Sequence, residues 1–412
     1  MYYYNVHDFS GFEVCFDSAA LGSELHLVAG SGYRWVRDVP PGAWHFSGAV
    51  KNNSDRCFDS LLKLNGVGVD ATPPDNFVAA MRNTSLLDEF SYPWQKIMPK
   101  KQYRMFLEKV VNNVCGVIPR LDKKYYEATW VPSGHVLRAL QPAHVSKQRF
   151  EAAFGESDVL QSTIEKFRPD KNGFVSPPKY NRFGTRTGRL TVSSGPDILR
   201  LKKSYRNILQ PFDHRGRVIS IDFSSLEPRI LLYEAGRSCR DSDLYSYVSR
   251  ELFNGEASRN VVKAAIISEL YGSGRDLLEK TLGISGDELT AFMGKICEMF
   301  MTSQLKKRLK DEFVKTGTIK NRYGRVLQVP EPLDHIFLNT YAQSTGVDVA
   351  LLGFSKIVKN LSFLSGVRPL YVLHDALILD VSSDCLGDVE STTKINVDGY
   401  VQEFFLKVDS LA

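Results

Sequence analysis

Two aspartates define the chemistry this sequence can be asked to do. Asp222 closes the run Arg217-Val-Ile-Ser-Ile221, and Asp375 lies in His374-Asp375-Ala376, the bend between Leu370-Tyr-Val-Leu373 and Leu377-Ile-Leu-Asp-Val381. Each run reads as a buried strand bounded by polar residues, so each carboxylate is expected at a strand end. A carboxylate held there is costly to keep charged without a partner, and two of them point to a shared cation. Magnesium suits such a pair, because it takes one or two carboxylates together with water and substrate phosphates. Taken singly, either aspartate is more often a cap or a turn residue.

A third segment adds cations. In Arg259-Asn-Val-Val-Lys263-Ala-Ala-Ile-Ile267-Ser-Glu-Leu-Tyr271-Gly272, positions 259, 263, 267 and 271 recur every four residues and share one helical face. That face offers a guanidinium, an ammonium, an apolar patch and a phenol in order. The first two suit a triphosphate, Ile267 a base and Tyr271 a sugar. The spacing equally admits a partly buried helix with two surface charges.

The elements that must position these groups can be read around them. Glu227-Pro228 opens a helix through Arg229-Ile-Leu-Leu-Tyr-Glu-Ala235 that stops at Gly236. Phe106, Leu107, Val110, Val111 and Val114 recur at helical spacing between Lys100 and Cys115. The first 75 or so residues mix short β-like runs, Glu24–Val28 and Tyr33–Val36, with breakers such as Pro40-Pro41-Gly42. There is no internal repeat and no low-complexity tract.

Bulk composition removes several function classes. A chain of 412 residues with 43% hydrophobic and 24% charged residues is ordinary for a globular protein of two or three domains. It has no apolar run long enough to span a bilayer, so no membrane partner is expected. Six scattered cysteines without zinc-ligand spacing read as reduced thiols in a cytosolic compartment. The N-terminus MYYYNVHDFSG lacks a signal or transit pattern. The net charge of +5 is unevenly placed: Arg182–Arg217 holds nine Lys/Arg against two Asp/Glu, and Leu305–Arg325 holds eight against two. Such tracts suit a polyanion, although a single charge run is more often a solvated face.

The motifs resemble family A DNA polymerases, the bacterial DNA polymerase I type. Asp222-Phe-Ser-Ser-Leu-Glu-Pro-Arg229 is similar to the family's first catalytic motif, DYSxxELR. Arg259 to Gly272 resembles its fingers helix, RxxxKxxxFxxxYG, and Val372-Leu-His-Asp-Ala376 resembles its palm motif, VHDE. Thr185-Arg-Thr-Gly-Arg-Leu190 is similar to TxTGRL. Lys315–Arg325 and Asn339-Thr-Tyr-Ala-Gln343 resemble further family segments. Together these cover roughly residues 180 to 385, in the family's order.

The resemblance implies a mixed α/β (α+β) right hand with an antiparallel-sheet palm, helical fingers and a reduced helical thumb. Its expected divisions are an accessory region at 1–90, thumb and start of palm at 91–181, palm at 182–236 and 322–412, and fingers at 237–321. It implies a DNA-directed DNA polymerase that adds dNTPs to a primer 3′ end. Two Mg2+ ions, replaceable by Mn2+, would be held by Asp222, the Phe223 carbonyl and Asp375. Arg259 and Lys263 would bind the β and γ phosphates, with Lys263 also catalytic as a proton donor to pyrophosphate. Tyr245 falls where the family has a triphosphate-binding histidine. Glu227, joined to Tyr271, would crowd a ribose 2′ hydroxyl. Arg186, Thr187, Arg189, Arg229, Asn339, Gln343 and His374 would contact primer-template DNA. Helicase, primase or other replisome proteins are the further partners it admits, in a bacterial or phage-infected cytoplasm, with a phage or plasmid source for so short a member.

Four departures carry expectations of their own. Ile267 replaces an aromatic residue and should weaken retention of the incoming nucleotide. Ala376 removes an auxiliary carboxylate, and His335 replaces an arginine on the template side. At Phe16-Asp17-Ser-Ala19 alanine stands where a proofreading nuclease needs glutamate, so neither a 3′–5′ exonuclease nor a 5′ nuclease is expected. Two rivals remain at this point. A single-subunit RNA polymerase shares the palm aspartates but carries a small residue at the Glu227 position, and a catalytically weakened DNA-binding protein would tolerate Ala376 and Ile267.

Overall fold

The computed structural model describes residues 9, 11–48, 55–84, 92–155, 158–272 and 274–411. Most of the N-terminal stretch read for targeting signals lies outside the described residues. The chain divides into two units, Met1–Glu127 and Ala128–Ala412. Among the described residues no helix is long and apolar enough to cross a membrane.

The first unit holds a four-stranded sheet of β1 (Val14–Phe16), β2 (His26–Ala29), β3 (Tyr33–Val36) and β4 (Trp44–Phe46), in the order β3-β2-β1-β4. β1 runs antiparallel to β2 and parallel to β4. Phe12, Trp44, Phe46 and Phe58 meet edge-on or tilted beside it, the geometry aromatic quadrupoles favour. Helix α1 (Lys100–Val117) buries Phe106, Leu107, Val110, Val111 and Val114, the face its apolar spacing marks. It clusters with this unit, so the boundary at Glu127 falls inside the 91–181 segment.

The second unit is built on a five-stranded antiparallel sheet: β5 (Arg217–Phe223), β6 (Val367–Leu373), β7 (Ala376–Val381), β8 (Lys394–Asn396) and β9 (Glu403–Ser410), in the order β6-β7-β5-β9-β8. Side chains alternate across a strand, and here both faces are covered. Ile219, Ile221, Leu377 and Leu379 pack into one core; Val218, Ala376 and Ile378 pack into another with Phe150, Ile164 and Phe167. This explains why β7 is apolar on both faces except at Asp380. Helices α2 (Leu226–Glu234), α3 (Leu244–Phe253), α4 (Arg259–Tyr271), α5 (Thr302–Thr316) and the long α6 (Asp334–Asn360) complete the first core. The mixed α/β class with an antiparallel sheet agrees with the sequence reading.

Candidate active site

Strand register brings the two aspartates together. Ala376 pairs with Asp222 across β7 and β5, so Asp375 sits one residue from the partner of Asp222, and the Phe223 N–H donates to the Asp375 carbonyl at 3.1 Å. The turn depends on His374, whose φ of 56° is the positive value a tight hairpin demands and a non-glycine residue adopts only under constraint. Ser225, just past β5, has φ 54°, so left-handed backbone flanks both carboxylates.

The electrostatics of Asp222 are those of a group lacking its counter-charge. Its Oδ1 is buried with no hydrogen-bond partner. Burial, and then the charge of Asp375, push its carboxyl up to about 7, against the pull of Lys407. Burial also raises Asp375. Asp380 lies on the same face of the sheet, is 2% exposed and is raised by burial too. Its oxygens, however, accept from the Phe212 N–H at 3.1 Å and from Arg368 Nη1 at 3.3 Å. A pair of half-buried carboxylates, one with a buried and orphaned oxygen, is a donor set that fits hard divalent cations. Lys407 pairs with Asp222 in the ladder but turns its ammonium to Asp409 at 2.5 Å.

Helix α4 matches its expected limits. Ser258 caps its start by accepting from the Val261 N–H, and Gly272 closes it with φ 75°. A Cβ on Gly272 would lie 2.5 Å from the His335 ring, so glycine is needed both for the turn and for the close approach of α6. Arg259 and Lys263 are exposed, Ile267 is half-buried and Tyr271 is 36% exposed. Arg259 Nε donates to Asp243 at 2.7 Å, and both cations lie over the buried Tyr245 ring, at 5.3 and 5.9 Å. The Tyr271 hydroxyl donates to Glu227 Oε2 at 2.5 Å, while Glu227 Oε1 accepts from Arg189 at 2.9 Å. Burial first, then the Glu227 carboxylate, push the Tyr271 phenol up to about 12.

A cleft brings Arg189, Glu227, Gln343, His374 and Asp375 onto one surface. Gln343 and Asn339 are a helical turn apart on α6, both half-buried, and the Asn339 Oδ1 has no partner. Burial lowers His374. Arg186 is exposed and Thr187 half-buried. Gly188 has φ 84°, and a Cβ there would come within 2.0 Å of the Arg325 guanidinium, whose Nη2 holds the Arg182 carbonyl at 3.0 Å. Arg229 corrects the sequence reading. It is fully buried, its guanidinium donates to the Ser224, Asp241 and Ser242 carbonyls, and it lies over the Phe405 ring. It ties the end of β5 to the start of α3 and is out of reach of a bound strand.

Residues 118–409 match the model of DNA polymerase family A. The chain belongs to that family. Its members depend on divalent metal ions, in keeping with the donor set above. Among solved structures it is similar to the POL domain of Pol1 from M. smegmatis in complex with DNA primer-template and dNTP, at 17% identity and a TM-score of 0.47. That likeness covers 86% of this chain and 63% of the other. No curated protein matches the sequence.

Within this family A chain, sequence reasoning missed three residues beside the site. Asp243 caps α3 through the Tyr245 N–H and also holds Arg259. Its place directly before a helical run was a capping signal, but nothing in the spacing linked it to Arg259. Lys407 reaches Asp222 only through the pairing of β9 with β5, and Ser225 shows no sequence mark of its positive φ.

Proposed function

We propose that the chain is a template-directed DNA polymerase that adds dNTPs to a primer 3′ end by two-metal nucleotidyl transfer. The observation that carries this is the buried, unpartnered Oδ1 of Asp222 beside Asp375, at the sheet end that adjoins Glu227 and the cation-bearing α4. Asp222, Asp375 and the Phe223 carbonyl would hold Mg2+. Bound there, the ions would supply a lowered pKa at the primer hydroxyl and neutralise charge on the departing pyrophosphate.

The chain's own groups supply the rest. Arg259 and Lys263 stand exposed one turn apart and bind triphosphate oxygens, and Lys263 is the proton donor to the leaving pyrophosphate. Ile267 offers the base a dispersion contact. Tyr245 lies beneath both cations and supports them with its ring face rather than reaching the phosphates. Glu227, held by Tyr271 and Arg189, presents bulk and charge where a 2′ hydroxyl would fall, which favours a deoxynucleotide enzyme over an RNA polymerase. The segments 182–236 and 322–412 would serve as palm and 237–321 as fingers, with Arg189, Gln343, Asn339 and His374 along the primer-template.

Extension of a labelled primer on a defined template, with Mg2+ and either dNTPs or NTPs, tests the reading. Stepwise extension with dNTPs, abolished in Asp222→Asn and in Asp375→Asn while DNA binding persists, is the expected result. Equal use of NTPs would transfer the chain to the RNA polymerase reading, and DNA binding without extension to that of a weakened binding protein.

A further inference from the structure

The first unit contains a cluster that polymerase chemistry does not use. Among the described residues, Asp17, His26 and His45 form the one group of three or more His, Cys, Asp or Glu whose ligand atoms all lie within 4.8 Å of one another. The sheet explains the meeting. Phe16 pairs with Leu27, so His26 comes level with Asp17, just past the end of β1. Cys15 pairs with His45 across β1 and the parallel β4, and alternation puts residues 15 and 17 on one face. Three donors from three separate strands or strand ends therefore converge at one edge of one face.

We propose that Asp17, His26 and His45 form a binding site for a single divalent transition-metal ion of the zinc class, with an open position for water or an external ligand. His45 Nε2 stands 3.2 Å from Asp17 Oδ2. Donors about 2.0–2.2 Å from a tetrahedral zinc stand roughly 3.3–3.6 Å from each other, so this pair needs only a slight separation to reach coordination spacing. The other oxygen, Asp17 Oδ1, accepts from the Ala19 N–H at 2.7 Å, which fixes the carboxylate and leaves Oδ2 facing the histidines. His26 turns Nδ1 toward the Ser18 N–H at 3.2 Å, a long bond that a cation can replace. Asp17 and His26 are half-buried and His45 is buried, so the cluster has a wall and an entrance. Two imidazoles and one carboxylate select zinc, cobalt or nickel over magnesium, the reverse of the all-oxygen palm site. The alanine at position 19 thus leaves a carboxylate that works with histidines from neighbouring strands rather than with a second acid on its own.

The test uses the full chain carrying Asp222→Asn and Asp375→Asn, so that the palm contributes nothing. After removal of metal by chelator and dialysis, ZnCl2 is titrated by calorimetry and CoCl2 by visible absorption. One equivalent of Zn2+ per chain, intense four-coordinate cobalt bands, and at least a tenfold loss of affinity in His26→Gln are expected. No binding, or binding unchanged by His26→Gln, overturns the proposal and leaves Asp17 and His45 as an ion pair. Ring-nitrogen NMR of the same chain without the His26 change reads the question independently of that variant's folding. Zinc should shift the His26 and His45 signals among the eight histidines, and an unshifted spectrum is equally fatal.

Discussion

Asp222 and Asp380 stand on the same face of one sheet, at different distances from its functional edge, and both are pushed upward by burial. They differ in what faces them. Asp380 has Arg368 and the Phe212 N–H, whereas Asp222 has a buried oxygen with no partner and a second carboxylate beside it. Burial of an acid is therefore no mark of function by itself. The mark is burial for which the protein supplies no compensation, since that free energy must come from something the protein binds. Glu227 and Asp243 lie between these extremes. Each is paired, but with residues that substrate would engage: Tyr271 and Arg189 for the first, Arg259 for the second.

The widest separation is expected from Asp222→Asn. Loss of a metal contact worth several kcal/mol, at about 1.4 kcal/mol per decade, should reduce primer extension by roughly 1,000-fold or more. The same change should stabilise the metal-free chain. Because the folded-state value of Asp222 is raised to about 7, the wild type loses stability as pH climbs from about 4 toward 7, and the asparagine variant is spared that loss. Thermal melts in EDTA should show the variant ahead at pH 8 and level with the wild type near pH 4. A variant that is less stable at pH 8 would mean that Asp222 has a partner within the protein after all.

Asp380→Ala should behave in the opposite way. Removing the buried Asp380 leaves the half-buried Arg368 without its counter-charge and the Phe212 N–H without its acceptor, and about 3 kcal/mol of stability should be lost. The catalytic rate per folded molecule should hold, because Asp380 lies at the far end of β7 from Asp375. Urea denaturation and active-site-normalised extension would measure the two effects separately. A large loss of rate with stability intact would break the contrast.

How much of this was legible follows from the range of each interaction. The extent of α4 was readable because the four-residue stripe from Arg259 to Tyr271 and the closing Gly272 act within one helix, whereas the Ser258 cap was seen only in the structure. The strand-end aspartates were readable for the same local reason, but their meeting required the register of β7 on β5. The burial of Arg229 was not readable: its motif placed it among exposed DNA contacts, and only the loop at Asp241 and Ser242 folds carbonyls over it. The Asp17 cluster shows the same limit, since its three members belong to strands whose pairing the short β-like runs did not disclose.

Glu227→Ala examines the intermediate class. It removes the acceptor shared by Tyr271 and Arg189 and opens the space beside the sugar. Discrimination between dNTPs and NTPs, measured as the ratio of kcat/KM, should fall by roughly 10- to 200-fold, the scale of 1–3 kcal/mol for a lost pocket contact. Unchanged discrimination would place the 2′ hydroxyl elsewhere and move Glu227 into the permanently paired class with Asp380.

The smallest effect is expected at Asp243→Asn. Asparagine caps a helix about as well as aspartate, so α3 should persist, and it can still accept from Ser246. What it loses is the charge that holds Arg259 in the absence of nucleotide. Both side chains are substantially exposed, 50% for Arg259 and 36% for Asp243, so the pair is worth about 0.2–1 kcal/mol after solvent screening. If the triphosphate must take the guanidinium from this carboxylate, KM for dNTPs should drop up to about fivefold at constant kcat. If KM rises instead, Asp243 is holding Arg259 in its working position, and the pair belongs with Asp380 and Arg368 as a fixed part of the frame.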